Sequence, residues 1–236
     1  MNISYPFRFF GVISLFSLSA IPASAQDVPT TPSAVEASIG HTKVNAELAS
    51  KSREWVASLQ LADAGKVARL EHVLYTHLMA VRDWHNTHPA STVPAGINPV
   101  TGQKLSELDR QIIADSAMPD SVHTQLMDGL RRDLNEGQVA QILDKYTIGK
   151  VDFTMKGYAA IVPDLTEKEK TEIRKLLEQA REQAVDYKSM KQISAIFEIY
   201  KTKAENYLNN NGRNWRQLFK TYVDARKAEK EAAKKP

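Results

Sequence analysis

The sequence predicts an all-α fold: a single bundle-like domain of about seven helices with one long Pro/Gly-rich loop. Three observations carry that reading. Ile173, Leu176, Leu177, Ala180, Ala184 and Tyr187 recur at i, i+3, i+4, i+7, i+11 and i+14, which is one face of a helix. Ahead of them Thr166 and Glu169 have the spacing of a capping box, in which the hydroxyl and the carboxylate each accept from the other's backbone N–H. No alternation of apolar and polar residues long enough for a half-buried strand occurs. Glu172 with Lys175 and Glu178 with Arg181 sit at i,i+3, which predicts ion pairs on the wet side of the same helix.

The other elements follow in order. Residues 26–42 are rich in Pro, Thr, Ser and Ala and predict a flexible leader. A first helix is expected from about Lys43 to Gln60, with Val44, Leu48, Trp55 and Leu59 in a narrow arc. Asp63 caps a second, Ala64 to about His88, whose Leu70, Leu74, His77, Val81, Trp84 and His88 share a face. Helical signals then stop from Pro89 to Lys104, a stretch punctuated by prolines and glycines. They resume near Leu105, break at Pro119, and continue behind Asp120 or Ser121 to about Asp133. Leu134 and Leu165 stand just before two similar helix starts and suit hydrophobic staples. Gly149 suits a helix stop, a short amphipathic helix covers Asp152 to Ile161, and Ser189 caps the next long one. A last helix carries Trp215, Leu218, Phe219 and Tyr222 and loses its apolar face after Ala225. Trp215, Tyr200, Tyr207 and Tyr222, at helical spacing, are expected in the core. The domain proper is thus expected at 43–225, with 226–236 a basic tail.

Composition narrows the function. Arg8, the apolar run Phe9 to Ala20 and Ala23-Ser24-Ala25 together read as an export signal over residues 1–25, cleaved ahead of Gln26. The apolar run is too short to span a bilayer, so a soluble periplasmic or secreted product without a transmembrane segment is expected. With no cysteine, the chain has no disulfide, thiol nucleophile, thiolate zinc site or lipid-anchor cysteine. The formal charge of +3, lowered by one when Arg8 leaves, is spread over an ordinary mixed surface and predicts no nucleic-acid partner.

His77, His85 and His88 lie on or near one side of the second helix, but Asp83, the obvious further ligand, points well away from His77 and His88; no metal and no cofactor are expected. A ligand site is expected instead where that helix meets the Pro89–Lys104 loop. Trp84, His85 and His88 offer flat faces there, and Arg82, Asp83, Asn86 and Asn98 offer polar handles. The alternative is that Trp84 only pins the loop to the bundle. No Gly-x-Ser-x-Gly, phosphate loop or His-Glu-x-x-His is present, so catalytic residues stay unassigned and a binding role is favoured over an enzyme.

Several stretches carry a resemblance. REWVASLQLADAGKVARL (Arg53 to Leu70), AVRDWHNTHP (Ala80 to Pro89), VPAGINPVTG (Val93 to Gly102), YTIGKVDFTMKGYAAIVPDLT (Tyr146 to Thr166) and ISAIFEIYKTKAENYLNNNGRNWRQLFK (Ile193 to Lys220) resemble a family of exported bacterial helical proteins, domain of unknown function 3826. The resemblance implies a single helical domain, a periplasmic home and, from the frequent company of polysaccharide-degrading systems, a carbohydrate or cell-envelope ligand. It brings no catalytic residues. A local likeness to the periplasmic chaperones Spy and CpxP, marked by Leu-Thr-x-x-Gln, touches Leu134 to Gln138 and Leu165 to Glu169, each departing at one position. It implies the alternative function, a chaperone or envelope-stress protein.

Overall fold

A computed structural model describes residues 34–99 and 101–233. The expected export signal, most of the leader, Lys234 and Lys235 lie outside the described residues. The chain divides into Met1–Ile39 and Gly40–Pro236. Of the first unit, the described residues form only the start of α1; all that follows concerns the second.

Nine α-helices run in order among the described residues: α1 (Ala34–Ala57), α2 (Ala64–Thr87), α3 (Glu107–Asp115), α4 (Asp120–Asp133), α5 (Glu136–Thr147), α6 (Lys150–Ile161), α7 (Glu167–Ala184), α8 (Met190–Asn210) and α9 (Trp215–Ala232). A single 3-10 turn, Ala90–Thr92, follows α2. The protein is all-helical, as the periodicity predicts. The described helices number nine against the expected seven or so, and the breaks between them fall near the caps and turns that the sequence marks. Ile148 and Gly149 are both left-handed, at φ 51° and 64°. Ile148 therefore ends α5, and Gly149 opens α6 instead of terminating its predecessor. Among the described residues the helical structure runs from Ala34 to Ala232.

Local chemistry explains most of the helix starts. Asp63 accepts from the backbone of Lys66, and reciprocal capping boxes join Thr166 with Glu169, Ser189 with Gln192, Asn135 with Gln138 and Ser106 with Asp109. The start of α4 departs from expectation. Pro119 occupies the cap position with no side-chain bond, and Asp120 is already the first helical residue, where its charge suits the helix dipole.

Two apolar clusters hold the unit together. One is built on α6, α7 and α8, around Ile173, Leu177, Ala180, Ala184, Ile196, Phe197 and Leu208. The other joins α1, α2, α4 and α5 around Val56, Leu70, Leu74, Leu126, Leu130 and Ile142, and Val185 just after α7 enters it too. The stripe expected on α7 is buried at every position except Leu176, which is partly buried. Leu134 and Leu165 are buried as staples should be. Of the aromatics expected in the core, Tyr200, Tyr207, Trp215 and Tyr222 are only partly buried, whereas Phe197 of α8 is core: α9 has no buried residue, and Trp215 lies partly covered against Tyr158, ring centroids 5.2 Å apart. Among the described residues no helix is long and apolar enough to cross a membrane.

One expected ion pair is corrected. Glu172 and Lys175 do approach, at 3.8 Å, but Arg181 turns inward from the wet face. It is 8% exposed and bonds Asp144 Oδ1 at 3.1 Å, so Glu178 is left without it. A carboxylate on a neighbouring helix, at lower effective dielectric, outcompetes an i,i+3 neighbour in water.

Candidate functional site

The C-terminal end of α2 is where the sequence reading expects a ligand. Apolar residues Leu70, Leu74 and Val81 bury one side of this helix and so aim the next turn, Trp84 to His88, at α3 and α8. The Trp84 indole donates to the carbonyl of Ala114 in α3 at 3.0 Å. The His88 ring stacks on it, centroids 3.7 Å apart and planes 13° from parallel. His88 Nδ1 in turn lies 3.0 Å from the Trp84 carbonyl and 3.0 Å from the Thr87 hydroxyl.

His85 meets Asp115, the last residue of α3, at 2.8 Å through Nδ1. A carboxylate only accepts, so Nδ1 carries the proton and Nε2 is the basic nitrogen. Asp115 is 3% exposed and fully occupied. Gln111 Nε2 donates to its Oδ1 at 2.9 Å and also reaches the His88 carbonyl at 2.9 Å. Gln192 Nε2 donates to Oδ2 in a short bond, while its Oε1 completes the capping box of α8. A buried carboxylate thereby holds the imidazole in one tautomer and one orientation. The Nε2 atoms of His85 and His88 have no hydrogen-bond partner among the described residues, and neither is sealed from solvent.

Arg82 and Asn98 do not join this group. Arg82 is buried on another side of α2, where Nη1 donates to Asn45 of α1 and Nε to Asp83 at 2.7 Å. At about 100° per residue, two steps along the helix rotate it far from Trp84. Asn98 works inside the loop: its backbone N–H donates to Gln103 at 2.8 Å, and its side chain accepts from Thr101 at 3.2 Å. The loop is ordered by such bonds, by an antiparallel bridge between Ile97 and Lys104, and by Arg110 donating to the Val93 carbonyl at 2.9 Å. Asp83 pairs with Arg82, and Asn86 accepts from Lys188 at 2.6 Å.

Asp115, Gln111 and Gln192 escaped the sequence reading. Gln192 is visible only as a capping residue. Asp115 does carry a signal: a carboxylate at the C-terminal residue of a helix opposes the helix dipole, and such a local conflict marks a residue held by something else.

A second polar cluster lies deeper. His77 touches the Tyr146 hydroxyl at 3.1 Å and Asp186 at 3.0 Å, and Asp186 also meets His123 Nδ1 at 2.7 Å. The hydrogen bond that His123 donates to Asp186 raises the pKa of His123, helped by the charges of Asp186 and Glu182 against the cost of burial. Burial pushes Asp186 up, but the bonds from His123 and His77 outweigh it and hold the carboxyl low. His77, expected on an apolar stripe, is thus a packed and hydrogen-bonded core histidine. Among the described residues no group of His, Cys, Asp and Glu is arranged to hold a metal ion.

No curated protein matches the chain, and nothing in the comparisons supports the local likeness to Spy and CpxP. One family model does match, over residues 45–228, and covers α2 to α8 entire with most of α1 and α9. The chain belongs to that family, described as protein of unknown function (DUF3826).

Proposed function

We propose that this is an exported, non-catalytic binding protein for carbohydrate or cell-envelope material, taking its ligand at the end of α2. The supporting observation is the pair of uncommitted imidazole nitrogens, on His85 and His88, flanking a stacked indole. A flat apolar face beside fixed acceptors suits a molecule with apolar C–H faces and hydroxyl donors. Locking His85 through Asp115 lowers the ordering cost of binding. Of the seven residues expected at the site, Trp84, His85 and His88 carry this reading, and Asp83 and Asn86 are taken up by Arg82 and Lys188. Arg82 and Asn98 support the helix and the loop around it.

The test is a glycan array with the exported protein and two variants. His85→Asn places an amide nitrogen where Nδ1 was, so the bond to Asp115 persists while Nε2 is lost. The variant should melt within about 2 °C of wild type, the range of a neutral surface change, and lose glycan binding. His88→Ala, which removes the stacked ring, should weaken it as well. If both variants bind every glycan that the wild type binds, the site lies elsewhere. Intact-mass measurement checks export: cleavage after Ala25 leaves Gln26 first, and a membrane-bound product retaining residues 1–25 contradicts it. A chaperone reading has one observation in its favour, the exposed Ile148 and Phe153 at the α5–α6 turn, 71% and 77% accessible. Stoichiometric suppression of client aggregation without glycan binding would favour it.

A further inference from the structure

We propose that a second site, the groove between α4, α5 and α7, binds a small zwitterion: an apolar α-amino acid, its carboxylate on Arg181 and its ammonium on Glu178. The groove encloses about 230 Å³, and Val139 and Leu143 form its apolar floor, each 3% exposed. Arg181 lines it with a guanidinium whose side chain is only 10% accessible. Nη1 donates to Asp144 at 3.1 Å and weakly to the Ala140 carbonyl at 3.5 Å. Nε is buried without a hydrogen-bond partner, and Nη2 has none among the described residues. A donor sealed from water without a partner is costly, Nη2 is left to solvent, and an incoming oxyanion that takes both relieves that cost.

An oxyanion alone fits poorly. Glu136 and Glu178 also line the groove and have no ion-pair partner among the described residues, so they repel a simple anion. Glu182, by contrast, is already matched by Arg131 at 3.6 Å and His123 at 3.7 Å. Lys175, also in the lining, faces Glu172 at 3.8 Å. Arg181 is paired with Asp144 but keeps donors to spare, and it stands beside two carboxylates without ion-pair partners among the described residues. Glu178 and Arg181 are i,i+3 neighbours on α7, with Cβ atoms about 5–6 Å apart. A molecule carrying an ammonium and a carboxylate on one carbon bridges that separation, and its apolar side chain lies along the floor.

The probe is L-valine, titrated into the exported protein by calorimetry and by amide chemical shifts. Two halves of the molecule are controls: 3-methylbutanoate lacks the ammonium, and isobutylamine lacks the carboxylate. L-Valine should shift amides of Val139, Ala140 and Arg181, and each half should bind roughly tenfold or more weakly, the scale of one lost charge-assisted bond. Glu178→Gln, a half-exposed change that leaves the core intact, should weaken L-valine by roughly tenfold without weakening 3-methylbutanoate. Arg181→Lys should lose both; if it does not fold, the Glu178→Gln comparison decides. Absence of any response to L-valine, equal binding of 3-methylbutanoate and L-valine, or unchanged binding in Glu178→Gln would each overturn the proposal.

Discussion

Asp115 receives Gln111 on one oxygen and Gln192 and His85 on the other, almost out of reach of water. Removing it strands several buried donors at once, and an unmade buried bond costs more than a made one contributes. Asp115→Ala should lower unfolding free energy by about 2–4 kcal/mol in urea, well above the typical surface change. Glu205 on α8 poses the opposite case. Burial, with a smaller push from Glu198 and a pull back from Lys201, raises its carboxyl to about 7. The folded state then binds a proton that the unfolded state has released, so stability falls as pH rises from about 4.5 to about 7. Glu205→Gln should therefore raise the melting temperature at pH 8 and leave it nearly unchanged at pH 4. The burial of these two carboxylates was not legible from residue types alone, because what covers them comes largely from helices distant in the chain.

Among the elements, α7 and α4 show what periodicity does and does not reveal. The α7 stripe was fully readable, and Leu177→Ala, at a position with no exposure, should cost about 2–5 kcal/mol in chemical denaturation. Gly129 in α4 was not readable. A methyl group there would lie 2.7 and 2.8 Å from the two Cγ atoms of Val73 on α2. Alanine gains about 1 kcal/mol of helix propensity over glycine, but Val73 is β-branched and cannot swing aside. Overpacking of about 1–3 kcal/mol should win, so Gly129→Ala destabilises where an isolated helix would gain. Caps were legible because they are local: Thr166, Ser189 and Asp63 each act within three residues. Arg181 was misread because its partner Asp144 lies on α5, and spacing along α7 carries no news of it.

At the scale of the molecule, Asp186 ties α2, α4 and α5 to the α7–α8 turn through His77, His123 and, by way of His77, Tyr146. Glu182 of α7 and Arg131 of α4 stand beside His123. The raised pKa of His123 means that its stabilisation is complete below 6.5 and is lost as pH rises through the folded value. The lowered pKa of Asp186 acts in reverse: its stabilisation is present above 3.8 and is lost as pH falls through the folded value. For this pair stability should peak between those limits. Melting temperature should fall from pH 6 to pH 9, and His123→Gln should flatten that slope; an unchanged slope would detach the effect from this cluster. The helical class was legible throughout, since burial at period 3.6 repeats from element to element. The candidate site was legible in part. Trp84, His85 and His88 share one helix end, whereas their support, Asp115 and Gln192, arrives from α3 and α8.

Gln192 serves two masters with one amide, its oxygen for the start of α8 and its nitrogen for Asp115. That makes it a point where a substitution acceptable to every local rule is unacceptable to the fold. Glutamate is the favoured residue at this position of a capping box, and it matches glutamine in size and helix propensity. Yet Gln192→Glu would set a second carboxylate against Asp115 in a site closed to water, and the two could not both stay ionised. The change of a single NH₂ for an oxygen would leave a protein that folds in mild acid and loosens as the medium approaches neutrality. The constraint on this position comes from a partner 77 residues away in sequence.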